Sequence, residues 1–189
     1  MSFYENSDNV DNYIKMCKDY DGSNIYKVLQ NQLPKGKSVL ELGSGPGFDI
    51  PFLKENYKVT GSDFSEEFLN RCREKFPDTP FLKTDAKNIN INEKFDCIYS
   101  NKVLHHLTEQ QLSSSLKAQA ASLSEDGLIA HSFWMGDENQ VMEGLLFTYY
   151  KNEELLSLIS ENYTVLTTLS YQEFDKDDSL FVIAQLKSK

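Results

Sequence analysis

The most informative part of this chain is the stretch Val39-Leu40-Glu41-Leu42-Gly43-Ser44-Gly45-Pro46-Gly47-Phe48-Asp49. Its apolar beginning predicts a buried strand, and Asp49 is available as the cap of a helix near 49–56. The alternating glycines between them let the backbone adopt positive φ and let a large ligand lie directly against it. Glu41 is unusual in such a strand, because a carboxylate is costly to bury unless it accepts hydrogen bonds. The stretch therefore predicts a strand, loop and helix that hold a nucleotide-like ligand.

The composition and the net charge of the chain argue against some classes of binding partner. The chain has 189 residues and a formal net charge of -10, which opposes binding to nucleic acid or to anionic lipid surfaces. Cys17, Cys72 and Cys97 are odd in number, widely spaced and set among apolar residues. They are expected to be buried reduced thiols, and no metal site is predicted. The sequence shows no basic leader and no apolar run of about 20 residues, so a cytoplasmic location without a membrane partner is expected.

The order of predicted elements indicates the fold class. Helical spacing predicts two helices before the first strand, and strands then alternate with helices up to residue 133. The segment 137–150 is apolar but irregular, and 151–161 is a predicted helix. We expect an α/β three-layer sandwich with a seven-stranded, mostly parallel, Rossmann-like sheet closed by a C-terminal antiparallel hairpin. The predicted strands are 38–43, 57–63, 81–84, 95–100, 128–133, 163–171 and 179–186.

Acidic residues follow two further strands at the edge where a ligand is expected. Asp63 ends the second strand, where a carboxylate can accept hydrogen bonds from the two hydroxyls of a ribose. A lone Asp at a strand end is usually a helix cap, but Ser65 can already cap the next helix. Asp85 ends the third strand, with the small Ala86 beside it. Glu41, Asp63 and Asp85 are thus expected to border one crevice.

These acids also decide between cofactors. A dinucleotide site favours G-x-G-x-x-G, whose last glycine falls at position 48, but this position is Phe48. An acidic crevice also repels the two phosphates of NAD. S-adenosylmethionine has no phosphate and carries a sulfonium cation, so its charge suits the crevice better. An NAD-dependent oxidoreductase remains the weaker alternative.

In these motifs the chain resembles the class I S-adenosylmethionine-dependent methyltransferases. The resemblance rests on Glu41–Gly47, Asp63, Asp85-Ala86 and Phe95–Ser100. Tyr13–Met16 and Tyr20-Asp21-Gly22, together with Ser100–Leu107, further resemble a group of small single-domain members. The resemblance implies one methyltransferase domain, residues 1–189. In it, helices within 1–36 cover the site, 37–135 bind the cofactor, and 136–189 supply a substrate-side segment and the hairpin.

The resemblance also implies roles for single residues. The glycine loop lies under the methionine part of S-adenosylmethionine, Asp63 holds the ribose and Phe64 covers the adenine face. Asp85 and the Ala86 backbone meet the adenine edge, Asn101 lies between cofactor and acceptor, and tyrosines of the N-terminal helices close the site. The implied cofactor-binding set is Tyr13, Tyr20, Glu41, Gly43, Ser44, Gly45, Gly47, Asp63, Phe64, Ser65, Asp85, Ala86 and Asn101.

The expected reaction is in-line transfer of a methyl group to a small-molecule acceptor, with S-adenosylhomocysteine as product. A base is needed only if the acceptor must lose a proton, and His105 and His106 are the candidates. Adjacent residues of a helix point about 100° apart, so one of the two is expected to be structural. His131 is expected to be a hydrogen-bonded core residue, and 144–150 a lid. A catalytically silent cofactor-binding subunit is the alternative, and the sequence allows a monomer or a homodimer.

Overall fold

The computed structural model describes residues 3–188. Two short 3-10 helices, Phe3–Glu5 and Leu104–His106, accompany six α-helices and nine strands in this part of the chain. The α-helices are α1 Ser7–Met16, α2 Ser23–Gln32, α3 Ile50–Asn56, α4 Glu66–Lys75, α5 Glu109–Ser122 and α6 Asn152–Ser160. The strands are β1 Ser38–Leu42, β2 Lys58–Asp63, β3 Phe81–Lys83, β4 Phe95–Ser100, β5 Leu123–Trp134, β6 Gln140–Met142, β7 Leu145–Phe147, β8 Tyr163–Tyr171 and β9 Ser179–Leu186.

Seven strands form one sheet in the order β3-β2-β1-β4-β5-β9-β8. The pairs from β3 through β5 are parallel, whereas β9 runs antiparallel to both β5 and β8. The strand order reverses between β1 and β4, and the crevice beyond the carboxyl ends of such strands is where open α/β sheets bind ligands. The expected fold class and its closing hairpin are confirmed.

The central strands are buried on both faces, as parallel strands covered by helices are. In β4, Ile98 packs into one apolar cluster, while Cys97 and Tyr99 pack into the other on the opposite face. Cys72 and Cys97 are buried free thiols, as predicted. Cys17 is only half-buried, which corrects the expectation, because α1 buries little more than Val10. Within residues 3–188 we find no helix that is both long and apolar enough to cross a membrane.

Two local expectations were wrong. The fifth strand begins at Leu123 rather than at 128, because Leu123 already pairs with Phe95 before the register shifts. The segment 137–150 is not irregular, since β6 and β7 pair as an antiparallel hairpin. Its two turn residues, Glu143 and Gly144, both have positive φ, as a tight two-residue hairpin turn requires. All residues of β6 are exposed and all residues of β7 are half-buried, so neither strand has the alternation of buried and exposed residues that predicts a strand.

Candidate functional site

The glycine loop joins β1 to α3 and adopts the predicted backbone. Gly43, Gly45 and Gly47 have φ values of 76°, 49° and 73°. A Cβ at Gly43 would lie 2.5 Å from Cγ2 of Val103, so this glycine is required by packing as well as by its backbone conformation. A Cβ at Gly45 would meet no heavy atom of the described residues within 4 Å. Gly45 therefore presents the open face of the loop, where a ligand can approach the backbone most closely.

Asp63 links the end of β2 to the glycine loop through hydrogen bonds. One of its carboxylate oxygens accepts from the Gly45 N–H at 2.8 Å, and the other accepts from the Ser65 N–H at 2.8 Å. Desolvation raises the pKa of Asp63, and the backbone N–H groups of Ser65 and Gly45 oppose that rise. Ser65 caps α4 as predicted, because its Oγ accepts from the Phe68 N–H, and it also donates to the Tyr4 carbonyl. Asp63 is thus already bonded to the protein, but a carboxylate retains further lone pairs for a ligand.

The other residues expected around an adenosine lie along the same edge of the sheet. Phe64 directly follows β2 and is 47% exposed, which is unusual for an aromatic side chain. Asp85 follows β3 and accepts from the Lys87 N–H at 2.9 Å. Ala86, beside it, packs on the edge of an apolar cluster. Asp63 and Asp85 therefore follow neighbouring strands, as predicted.

Glu41 is buried in β1, with 2% of its surface exposed. Burial raises its pKa well above the usual range, the charge of Asp49 raises it further, and a hydrogen bond with Ser44 opposes the rise. Its Oε2 has no hydrogen-bond partner among residues 3–188. Ser44 and Ser62 meanwhile link the loop to β2, since the Ser62 N–H donates to Ser44 Oγ at 3.1 Å. The site therefore contains a buried carboxylate that a donor or a cation would stabilise.

Asp49 was expected to cap α3, and this expectation is wrong. Its side chain makes no cap hydrogen bond, because its backbone is already helical and turns the carboxylate elsewhere. One oxygen accepts from the hydroxyls of Tyr20 and Tyr26, and the other accepts from Asn101 Nδ2 at 3.1 Å. Burial and the negative charge of Asp49 raise the pKa of both tyrosines. Sequence reasoning missed Asp49 and Tyr26 as site residues, because their partners are distant in the chain.

Asn101 lies at the carboxyl end of β4, where the strand order reverses. Its Nδ2 also donates to the Tyr20 hydroxyl at 2.6 Å, and its Oδ1 accepts from Ser132 Oγ at 2.8 Å. The amide is therefore fixed by partners from α3, β5 and the N-terminal region. Tyr13 does not join Tyr20, since its ring packs on Phe68 of α4 at 6.0 Å between centroids. The two predicted tyrosines therefore contact different parts of the fold, Tyr13 packing on α4 and Tyr20 bonding with Asp49 and Asn101.

The two adjacent histidines lie on a 3-10 helix, where His105 stacks on Trp134 and His106 lies against Tyr4, but they share one neighbour. Both rings contact Phe147 of β7, at centroid distances of 5.7 Å and 4.8 Å. His105 is buried, its Nδ1 has no partner among residues 3–188, and burial holds its pKa well below the usual value. His106 Nδ1 donates to the Leu146 carbonyl at 2.8 Å, and burial lowers its pKa as well. His105 is therefore the histidine with an uncommitted buried nitrogen.

His131 is a core residue, as predicted. Its Nδ1 lies 2.9 Å from Ser100 Oγ and its Nε2 lies 2.7 Å from Gln119 Oε1. Burial lowers the pKa of His131 to about 3, so the ring is neutral. The amide oxygen can only accept, hence Nε2 carries the proton and Ser100 donates to Nδ1. In the described part of the chain no three His, Cys, Asp or Glu side chains are grouped so that they could hold a metal ion.

In sequence, this chain is similar to known methyltransferases. A family model described as a methyltransferase domain matches residues 39–127. The chain is 25% identical, over 65% of its length and 54% of the relative, to dTDP-3-amino-3,4,6-trideoxy-alpha-D-glucopyranose N,N-dimethyltransferase of Streptomyces venezuelae. It is 29% identical to phosphatidylethanolamine N-methyltransferase of Cereibacter sphaeroides, over 52% of each chain. The chain therefore spans about half the length of these curated relatives.

Solved structures share the fold over a larger part of the chain. The 1,6-didemethyltoxoflavin-N1-methyltransferase of Burkholderia thailandensis superimposes with a TM-score of 0.80 at 20% identity. The match covers 96% of this chain and 87% of that one. That enzyme was crystallised with 1,6-didemethyltoxoflavin and S-adenosylhomocysteine.

Proposed function

Because this chain belongs to the class I S-adenosylmethionine-dependent methyltransferase superfamily, we propose that it binds S-adenosylmethionine and methylates a small-molecule acceptor. The observation that carries the proposal is the acidic crevice above the glycine loop. There Gly45 presents an open backbone face, its N–H donates to Asp63, and Glu41 buries a carboxylate oxygen that has no partner among residues 3–188. Such a crevice favours a cationic ligand with hydroxyl donors over a ligand with phosphates.

In this proposal the carboxyl ends of β1 to β3 hold the cofactor. Asp63 accepts from the ribose hydroxyls with the lone pairs that the backbone leaves free. Phe64, whose ring is exposed beside Asp63, covers one face of the adenine. Asp85 and the Ala86 backbone meet the adenine edge. Glu41 lies beneath the methionine part, where the positive sulfur opposes the rise in its pKa and favours the carboxylate over the neutral acid.

The cluster around Asp49 borders the reacting end of the cofactor. Asn101 is immobilised by three hydrogen-bonding partners, and Tyr20 connects it to the N-terminal region. Fixed side chains of this kind hold a nucleophile and an electrophile in near-attack geometry, which supplies much of the rate enhancement of such transfers. Tyr13, at the Asp63 end, closes the crevice over the ribose.

Bound S-adenosylmethionine supplies a methyl group that its sulfonium already activates, so the acceptor's lone pair forms the new bond while the carbon–sulfur electron pair returns to sulfur. The protein's part is to align the acceptor, to exclude water and to receive a proton where the acceptor has one to lose. His105 is the better candidate for that proton, because its Nδ1 has no hydrogen-bond partner among residues 3–188, although burial lowers its pKa and so weakens it as a base. His106 Nδ1 is already committed to a carbonyl.

Calorimetry with S-adenosylhomocysteine tests the proposal. We expect the wild type to bind this product and Asp63→Asn to bind it about tenfold more weakly or worse. Asp78→Ala, which removes an exposed carboxylate outside the crevice, is the matched control and should bind like the wild type. A folded wild-type protein that ignores S-adenosylhomocysteine but binds NADH would refute the proposal and favour an oxidoreductase.

A further inference from the structure

Trp134, the chain's single tryptophan, ends β5 on the side of Asn101 away from Asp63. Two residues earlier in the same strand, Ser132 bonds to Asn101, and alternate residues of a strand share a face. The indole is stacked against His105, with centroids 4.3 Å apart and planes at 19°, and against Phe147 at 5.4 Å and 12°. Tyr149 and Phe174 also lie near the indole, at 5.7 Å and 6.0 Å, and the side chain remains partly exposed. Trp134 therefore belongs to an aromatic surface next to the residues that border the reacting end of the proposed cofactor site.

An ion pair fixes this surface in place. Lys102 Nζ lies 2.5 Å from Glu173 Oε1, with the two side chains only 22% and 12% exposed. The other carboxylate oxygen of Glu173 accepts from Trp134 Nε1–H at 3.1 Å. Glu173 is itself anchored, since its backbone N–H donates to Asp178 Oδ1 at 2.8 Å within the turn between β8 and β9. Three segments distant in sequence therefore meet at one carboxylate.

The backbone at Lys102 supports a special role for this pair. Lys102 has a φ of 59°, a left-handed conformation that costs a non-glycine residue energy and that occurs preferentially at functional sites. Its Nζ also lies 4.7 Å from the ring centroid of Tyr20, whose hydroxyl bonds to Asp49. The ion pair thus connects the Asp49 cluster with the aromatic surface, and it is mostly shielded from solvent.

The pair also determines the charge that this surface presents. Each oxygen of Glu173 already accepts a hydrogen bond, and the positive charge of Lys102 is compensated. A cationic acceptor would have to compete for Glu173, and an anionic acceptor would have to compete for Lys102. Breaking a largely buried pair is costly because it leaves one charge without its partner.

We propose that Lys102 and Glu173 are positioning residues that hold Trp134 as an uncharged aromatic wall of the acceptor site, and that the acceptor is a planar, uncharged molecule lying against this wall. The inference rests on the proposed methyltransferase function, because that function is what gives the site an acceptor. The sequence motifs assign no role to Lys102 or Glu173, and the acceptor's chemical class follows from the aromatic wall that they hold.

The test uses the full chain saturated with S-adenosylhomocysteine and three probes of equal shape: benzyl alcohol, benzylammonium and benzoate. Because Trp134 is the single tryptophan, its fluorescence reports directly on this wall. We expect benzyl alcohol to change the emission saturably, and about tenfold or more tighter than either charged probe. Benzylammonium binding best would make Glu173 a cation subsite, and benzoate binding best would make Lys102 an anion subsite. Either result overturns the proposal, as does the absence of saturable binding by all three.

The variant Glu173→Gln removes the negative charge but keeps the volume of the side chain and an oxygen that accepts from the indole N–H. It therefore distinguishes an effect of the charge from an effect of packing. It leaves the charge of Lys102 uncompensated, so we expect selectivity to shift about tenfold or more toward benzoate while S-adenosylhomocysteine affinity stays unchanged. Glu125→Gln, an exposed change on the same strand as Trp134, should keep the wild-type order of probes. An unchanged order in Glu173→Gln overturns the positioning role. Failure of the wild type to bind S-adenosylhomocysteine overturns the proposed function itself, so the two failures are distinguishable.

Discussion

Replacing Gly45 by alanine should weaken cofactor binding in addition to its cost in folding stability. Gly45 has a φ of 49°, and a Cβ there would meet no heavy atom of residues 3–188 within 4 Å. The cost to the free energy of unfolding is therefore the left-handed backbone alone, about 1–2 kcal/mol. The added methyl group points from the open face of the loop, however, so we expect S-adenosylhomocysteine affinity to fall about tenfold or more, which is about 1.4 kcal/mol.

Two other glycines provide the controls. Gly36, in the turn between α2 and β1, has a φ of 81° and equally open surroundings, so Gly36→Ala carries the same strain without touching the crevice. Gly43→Ala adds the 2.5 Å contact with Val103 and should lose about 1–3 kcal/mol more than the strain alone. Urea denaturation gives the free energies of unfolding, and calorimetry gives the affinities. If Gly45→Ala binds S-adenosylhomocysteine as well as Gly36→Ala does, the loop does not lie against the cofactor and the reasoning is wrong.

Two further predictions concern buried titratable groups. Burial lowers the pKa of His131 to about 3, below about 6.5 in an unfolded chain. Between these two pKa values the unfolded state binds more protons than the folded state. The free energy of unfolding therefore falls on acidification by up to about 1.4 kcal/mol per pH unit. His131→Asn should decline less steeply in urea denaturation between pH 7 and pH 5. Equal slopes would contradict this, since Glu41, whose raised pKa acts in the opposite direction, is common to both proteins. Glu41→Gln should weaken S-adenosylmethionine more than S-adenosylhomocysteine, because only the former carries a positive sulfur, and equal losses in calorimetry would show that Glu41 does not act through its charge.

Residues whose role depends on their own strand or loop could be predicted from the sequence. The glycine loop, the acids at the ends of β2 and β3 and the core position of His131 lie where the residue patterns predicted them. Asn101, which follows β4, lies where the resemblance implied. Parallel strands separated by helices must align their carboxyl ends, so a residue that follows such a strand is brought to the crevice by topology alone.

Residues whose role depends on a distant partner could not be predicted in this way. Asp49 has the sequence position of a helix cap, yet Tyr20 and Tyr26 of the N-terminal region take its carboxylate. Glu173 lies in an acidic turn that resembles any solvated loop, yet it is bonded to Lys102 and Trp134. In both cases the hydrogen-bonding preference of the residue was evident, but the identity of its partner was not.

The amino-acid sequence thus predicted the order of strands and helices, the conformation of the glycine loop and the acidic residues at the carboxyl edge of the sheet. Hydrophobic periodicity, glycine and capping residues act through neighbours in the chain, so their effects can be read locally. Only the tertiary structure decided which side chains complete the site: the Asp49 cluster, the shared contact of His105 and His106 with Phe147, and the anchoring of Trp134 by Glu173. These contacts depend on how helices and the closing hairpin pack on the sheet, a geometry that many residues determine together and no short segment encodes.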